Sequence, residues 1–140
     1  MVTNIHERSF HAPLSSIGEL IDRLASRDDL LWPQDRWPPM RFSGPLGIGA
    51  SGGHGPIRYE VEAYEPGRSI RLRCTAPRGF LGTHGFEALE SATGVVQLRH
   101  VLAMQVSGGA RLSWPLVFRP LHDALIEDAL DRADAHCKRR

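Results

Sequence analysis

The sequence predicts an α+β fold in which a meander of antiparallel strands is followed by a long C-terminal helix. From residue 55 onward, apolar and polar residues alternate with a period of two, which is typical of half-buried strands. From residue 114 to residue 140 the apolar residues recur with the helical period instead. The chain lacks repeated strand–helix–strand units, so an antiparallel sheet is favoured over a parallel one.

The composition is that of one globular domain spanning residues 1–140. A chain of 140 residues with 41% apolar content can bury roughly two-thirds of its surface. A net charge of +1 gives no general attraction to nucleic acid. Glu7 and Arg8 stand where a secretory signal would be apolar, and no apolar run approaches the ~18 residues of a membrane span. We expect a cytoplasmic protein with no nucleic-acid partner, no stable membrane insertion, and Cys74 and Cys137 as reduced thiols.

The first third of the chain predicts a strand, a short helical segment and an irregular connector. The strand covers about residues 2–10. Ser16 and Glu19 form an S-x-x-E capping box, which predicts a helix that begins there and ends near Ser26. Residues 30–42 contain several prolines, which deny the backbone regular hydrogen bonds.

The glycine-rich stretch "GIGASGGHG", Gly47–Gly55, matches two catalytic patterns. One is the dinucleotide-binding G-x-G-x-x-G, and the other is the hydrolase G-x-S-x-G around Ser51. Both require a helix directly after the glycines, whereas here Pro56 and an alternating strand follow. We therefore predict a loop between two antiparallel strands, serving as a turn or as a lid over a pocket.

Two alternating runs on either side of "EPGR" predict a β-hairpin. The inward positions are Ile57, Tyr59, Val61, Ala63, Ile70, Leu72, Cys74 and Ala76. If Glu65 faces Arg68, then Glu62 meets Arg71 and Glu60 meets Arg73 on the outer face. Opposite charges in such cross-strand pairs stabilise a sheet by ~0.2 to 1 kcal/mol. The charge pattern therefore supports this strand register.

Two further strands are predicted at about residues 83–90 and 94–106. They are joined at "SATG", where Gly94 can take the positive φ that a short hairpin loop often requires.

Residues 114–140 give the longest helical signal. The apolar face comprises Phe118, Leu121, Leu125, Ile126, Ala129, Leu130 and Ala133. The acidic row opposite is expected to be a solvated surface and comprises Asp123, Glu127, Asp131 and Asp134. His122 falls within the apolar face, away from Glu127 and Asp131. The helix spacing therefore predicts no carboxylate–histidine metal cluster.

Three histidines are predicted to point inward: His84 and His100 from strand alternation, and His122 from the helix face. A short hairpin would place His84 opposite or diagonal to His100. Two interpretations stay open, namely hydrogen-bonded core histidines and a polar patch in an apolar pocket. No spacing motif supports a zinc site, so we predict no metal and no cofactor. His54 and His136 are expected at the surface.

The order of elements resembles that of the START-like superfamily, also described as polyketide cyclase/dehydrase and lipid-transport proteins with the Bet v 1-like helix-grip fold. The resemblance spans essentially the whole chain and rests on "GHGPIRYEVEAYEPGRSI" and "WPLVFRPLHDALIEDAL" within that order. It implies a curved antiparallel sheet wrapped around the C-terminal helix, with short helices after the first strand and an internal cavity for an apolar small molecule. It implies no catalytic residues.

The first functional hypothesis is binding of a hydrophobic small molecule, such as a lipid, an aromatic or a polyketide-like compound, between sheet and helix. The predicted contacts besides the three histidines are Tyr59, Leu72, Phe86, Leu98, Leu102, Met104, Leu125 and Ile126. The alternative is a cyclase or dehydratase that uses those histidines as general acid and base. Trp32, Trp37 and Trp114 fit either a cavity mouth or a homodimer face.

Overall fold

The computed structural model describes residues 1–139. The strands are β1 Val2–Phe10, β2 Arg41–Phe42, β3 Ser51–His54, β4 Ile57–Glu65, β5 Ser69–Ala76, β6 Phe80–Glu90 and β7 Val96–Val106. The helices are α1 Leu14–Asp22, α2 Ala110–Ser113 and α3 Arg119–Lys138, with a π-helical turn at Trp114–Phe118 between the last two. All strands form one antiparallel sheet in the order β1-β7-β6-β5-β4-β3-β2. The sheet wraps around α3, so the predicted fold class is confirmed.

The first helix begins earlier than the capping box predicts. Pro13 occupies the N-cap position with extended backbone, and α1 starts at the next residue. Ser16 therefore lies inside the first turn, and the prediction that it caps the helix is wrong. The helix ends at Asp22 rather than near Ser26, because Ala25 adopts a left-handed φ of 64°. The backbone N–H of Ala25 donates to Asp29 at 2.8 Å, which holds this turn in place.

Helix α1 is fastened to the turn between β4 and β5. Its carboxylate at Asp22 accepts hydrogen bonds from the Tyr64 hydroxyl at 2.7 Å and from the Gly67 N–H at 2.9 Å. Gly18 lies directly over this turn, where an added Cβ would stand 2.0 Å from the Gly67 carbonyl oxygen. The close approach of helix and turn thus requires glycine at position 18.

The β4–β5 hairpin contains the predicted charge pairs, but part of its strand register differs from the prediction. Arg71 pairs with Glu62 at 2.6 Å, and Arg73 pairs with Glu60 at 3.4 Å. Opposite Arg71 in the ladder, however, stands Ala63, because the register shifts between Val61 and Ala63. The bulge still lets Glu62 reach Arg71 from the neighbouring position.

The pairing at the ends of this hairpin also differs from the prediction. Glu65 faces Ser69, not Arg68, because Arg68 lies within the turn and its N–H donates to the Glu65 carbonyl.

The remaining strands extend the sheet on both sides. The β6–β7 hairpin forms as predicted, with Gly94 at a φ of 84° in its loop. The glycine-rich stretch is only partly a loop, because residues 51–54 form β3 and pair with β4. Glycines leave the backbone free to join the ladder there, so the prediction of an all-loop segment is wrong.

Helix α3 buries the apolar face that the sequence predicts, apart from its first turn. The buried side chains are Leu125, Ile126, Ala129, Leu130 and Ala133. Leu121 is 48% exposed, because it lies beyond the packed part of the helix. Within residues 1–139 no helix combines the length and apolar character needed to cross a lipid bilayer.

The acidic row of α3 is not the free solvated surface that the sequence predicts. Asn4, His6 and Arg8 on the inner side of β1 pair with it. Arg8 donates to Asp131 at 2.6 Å and to Glu127 at 3.1 Å. We call this contact the β1–α3 polar seam: Asn4, His6 and Arg8 on β1, with Asp123, Glu127 and Asp131 on α3.

Replacing Gly18 with alanine is expected to lower the free energy of unfolding by about 1–3 kcal/mol, because the new methyl group would press on the Gly67 backbone. The measurement is urea denaturation followed by circular dichroism. Gly44→Ala is the matched control, since nothing lies within 4 Å of its added Cβ. Equal midpoints for the two variants would contradict the proposed close packing of α1 on the turn.

Candidate functional site

An internal cavity of about 190 Å³ lies between the sheet and α3. It separates two buried apolar clusters. Leu125 and Ile126 of the larger cluster line one side, and Cys74, Leu102 and Met104 of the smaller cluster line another.

The predicted ligand contacts divide into a lining set and a core set. His84, His100, His122, Leu102, Met104, Leu125 and Ile126 line the cavity. Tyr59, Leu72, Phe86 and Leu98 are almost fully buried and do not line it, so they form the packed core around it. Strand alternation placed the strand residues of both sets on the inner face, and helical spacing placed those of α3, but neither period carries information about where packing leaves a gap.

The other lining residues lie outside the set of predicted ligand contacts, although Trp32, Trp37 and Trp114 were predicted as either a cavity mouth or a homodimer face. The lining is completed by Trp32, Trp37, Pro38, His54, Pro56, Ile57, Cys74, Phe80, Trp114, Phe118 and Leu121. The aromatic residues of the proline-rich connector were the available signal, because large apolar side chains in an irregular segment need a surface to cover.

The connector is held over the cavity by hydrogen bonds rather than by regular structure. The buried Asp29 carboxylate accepts from the N–H groups of Leu31 and Trp32. The indole N–H of Trp32 donates to the Pro38 carbonyl at 2.9 Å, and that of Trp37 donates to Asp128 on α3 at 2.8 Å. Both indole rings are thereby fixed beside the cavity.

Three lining histidines form a contiguous group, and each has one buried ring nitrogen without a partner. His84 stands diagonal to His100, with ring centroids 5.6 Å apart, and His100 lies 5.1 Å from His122. In residues 1–139, His84 Nε2, His100 Nδ1 and His122 Nε2 are buried without a hydrogen-bond partner. An unpaired buried polar group costs about 1–3 kcal/mol, so these atoms lack the partner that buried polar groups usually have.

His54 lies at the cavity, not at the surface as the sequence predicts. Its Nδ1 is 2.8 Å from the Tyr59 hydroxyl, and its ring packs 4.6 Å from that of Trp32. The prediction failed because the connector, which follows no local period, folds over β3 and covers the ring.

Burial makes all the cavity histidines poor proton acceptors. Loss of hydration, aided by neighbouring histidines, lowers the pKa of His84 to about 3 and the pKa of His54 to about 4. Burial and the nearby His6 lower the pKa of His122 to about 4, and the pKa of His100 is also well below its ordinary value through burial. At neutral pH the cavity therefore presents uncharged imidazoles, each with one donor and one acceptor nitrogen.

The cavity reaches solvent between the connector and the first turn of α3. Its exposed lining residues are Pro38, Pro56 and Leu121, and they mark this opening. Cys74 lies inside, and burial raises the pKa of its thiol to about 11. Within residues 1–139, neither Cys74 nor Cys137 forms a disulfide.

The cavity histidines do not form a ready zinc site among themselves. Among residues 1–139, the group of potential metal ligands that lie close together is His6, His122 and Asp123 rather than His84, His100 and His122. The three cavity histidines therefore offer hydrogen-bonding nitrogens rather than a preformed set of metal ligands.

No model of a known protein family matches the chain, and no curated protein matches it. Solved structures, in contrast, do match the chain. A protein from Thermobifida fusca matches with a TM-score of 0.72 and 14% identity, covering 99% of this chain and 95% of its own. Ara h 8.0201 matches with a TM-score of 0.64 and 11% identity, covering 99% of this chain and 99% of its own.

DynU16, a protein in the dynemicin biosynthetic locus, has a TM-score of 0.64 and 15% identity to this chain. The match covers 97% of this chain and 47% of DynU16, so this chain spans about half of that protein. At such identities these likenesses show the fold alone. They confirm the helix-grip fold that the order of elements predicts.

The buried histidines are expected to make the protein less stable as pH falls. The folded pKa of His84 lies below 6.5, so between these values the unfolded chain binds a proton that the folded chain excludes. In His84→Gln the free energy of unfolding should therefore fall less steeply as pH decreases, by about 1.4 kcal/mol per pH unit below about pH 6. The measurement is urea denaturation of both proteins from about pH 7.5 to about pH 4.5.

The exposed His11 provides the control, and His11→Gln should follow the wild-type pH dependence. If His84→Gln and the wild type lost stability in parallel, His84 would not be a buried neutral imidazole.

Proposed function

We propose that the protein binds an uncharged small molecule of one or two rings that carries a hydroxyl or carbonyl group. The observation that carries the proposal is an apolar cavity whose buried polar atoms include unpartnered imidazole nitrogens. Specific small-molecule sites commonly combine an apolar lining with a few such polar groups.

The size of the cavity selects the class of ligand. Drug-sized molecules occupy pockets of ≈ 300–1,000 Å³, whereas a cavity of about 150 Å³ holds benzene. At about 190 Å³ the cavity suits a compact ring compound better than a lipid or an extended polyketide. Among the ligand classes that the sequence left open, the aromatic class is therefore favoured.

The charge state of the cavity selects an uncharged ligand. Within residues 1–139 no lysine or arginine lines it, and the lowered pKa values of His54, His84 and His122 leave these rings neutral near pH 7. A carboxylate placed there would lose its hydration without gaining an opposite charge, which costs several kcal/mol. A hydroxyl or carbonyl group can instead pair with either nitrogen of a neutral imidazole.

A catalytic function is the second candidate, and the grouping of His84, His100 and His122 favours it. These rings could act as general base and acid on a carbonyl compound. However, an efficient base at neutral pH needs a pKa near 7, and the pKa of His84 is lowered to about 3. The same burial that makes these histidines good neutral hydrogen-bonding partners makes them weak bases, so binding is the better-supported function.

Toluene and p-cresol test the proposed binding, because they differ by one hydroxyl group. We expect the protein to bind p-cresol about tenfold more tightly than toluene, since the hydroxyl supplies a partner to an unpaired imidazole nitrogen. Isothermal titration calorimetry measures both affinities. In at least one of His84→Leu, His100→Leu and His122→Leu the preference should shrink to less than about threefold.

His11→Leu is the control, because His11 is exposed and lies outside the cavity lining, and it should keep the tenfold preference. Failure of both ligands to bind the wild type would contradict a small-ring site. A preference that all the cavity variants kept would contradict recognition by the histidines.

Acetophenone in heavy water separates binding from catalysis. A histidine acting as a base would exchange the methyl protons of this ketone, which proton NMR follows directly. We expect no difference in exchange rate between the wild type and His84→Gln or His100→Gln. Faster exchange with the wild type than with both variants would overturn the binding interpretation in favour of enzymatic enolisation.

A further inference from the structure

A second group of polar side chains lies at the β1–α3 polar seam and shares His122 with the cavity lining. His6 stands between two carboxylates: its Nδ1 is 2.7 Å from Glu127 Oε2, and its Nε2 is 2.9 Å from Asp123 Oδ1. His122 packs beside it, with ring centroids 6.1 Å apart. Ligand atoms of His6, His122 and Asp123 all lie within 4.8 Å of one another.

The hydrogen bonding of His6 is complete only if the ring carries a proton on both nitrogens or if a metal ion replaces one of those protons. A neutral imidazole has one N–H, so His6 can donate to only one of its two carboxylates. If Nδ1 donates to Glu127, the lone pair of Nε2 faces the Asp123 carboxylate, and the two repel. His122 Nε2, buried next to them, has no partner either.

We propose that His6, His122 and Asp123 bind a divalent transition-metal ion of the zinc type. A metal ion between His6 Nε2 and Asp123 would replace the lone-pair repulsion with two coordinate bonds. His122 would supply a second imidazole. Two nitrogens and one carboxylate oxygen form a donor set that suits zinc and its neighbours, whereas magnesium and calcium prefer oxygen ligands alone.

Glu127 lies where a carboxylate that does not itself bind the metal would accept a hydrogen bond from a metal-binding histidine. Metal-binding histidines commonly donate their second ring N–H to a carboxylate, which orients the ring and makes the bound nitrogen more basic. The 2.7 Å contact from His6 Nδ1 to Glu127 has this form. Glu127 also accepts from Arg8 at 3.1 Å, which holds the carboxylate in place.

The distances fit metal binding after a small side-chain adjustment. With bonds of about 2.0–2.2 Å, the ligand atoms of a tetrahedral zinc site stand roughly 3.3 Å apart. The present separations of up to 4.8 Å can close by rotation of side chains, because all three residues are only partly buried. The fourth position would be left to water, as in zinc sites with three protein ligands.

Titration of the untagged protein with cobalt(II) tests the site, because cobalt replaces zinc and absorbs visible light. The expected result is one cobalt ion per chain with a visible absorption band, displaced by an equivalent of zinc. His6→Asn should weaken cobalt binding by at least about tenfold, and Glu127→Gln should weaken it by about 10–100-fold. The exposed His11 serves as control, and His11→Asn should bind cobalt as the wild type does.

Circular dichroism of each variant shows whether it is folded. If His6→Asn fails to fold, Asp123→Asn is used in its place with the same expectation. Absence of a visible band at millimolar cobalt, or equal affinity in the wild type and the folded seam variants, would overturn the proposal. The test does not depend on the cavity ligand, since p-cresol binding can fail while cobalt binding succeeds.

Discussion

The packing of α3 against the inner face of the sheet is the contact on which the rest of the structure depends. The helix meets the sheet with two chemically different surfaces. Its alanine and leucine face enters the apolar core, and Ala129, Leu130 and Ala133 are completely buried there. Its acidic face meets the polar side of β1, where Arg8 and His6 supply the partners. Apolar burial provides most of the stabilisation, whereas half-exposed ion pairs contribute at most about 1 kcal/mol each. The polar seam therefore fixes orientation more than it adds stability.

The cavity follows from how this helix is supported. One buried cluster holds its C-terminal part, and the other surrounds the α2 segment and the π-helical turn that precede it. Between the two clusters the protein leaves a gap lined with imidazoles that burial keeps neutral. Burying polar rings without partners lowers stability, and a core built only for stability would use leucine at these positions. Keeping histidine there is physically reasonable if a bound molecule completes the hydrogen bonds.

His122 connects the two proposed sites. Its ring lines the cavity next to His100 and also packs beside His6 in the polar seam. A metal ion held by His6 and Asp123 would fix this ring and change the hydrogen bonding that it offers to the cavity. The two sites would then be coupled through one side chain, with a coupling free energy that is equal in both directions. Helix spacing alone predicted no carboxylate–histidine metal cluster on α3, because it separates His122 from Glu127 and Asp131.

Features that depend on local periods could be predicted from the sequence. Strand alternation gave the hairpins and placed His84 and His100 on the inner face, and helical spacing gave the apolar face of α3. These follow from backbone geometry, which repeats every two or 3.6 residues. Tertiary structure alone decided which inward side chains line a gap, and Tyr59 proved to be core while His54 turned inward beneath the connector. It also brought His6 to Asp123 across 117 positions of the chain. No local period encodes a contact of that separation, because it depends on how the whole sheet places its first strand against its last helix.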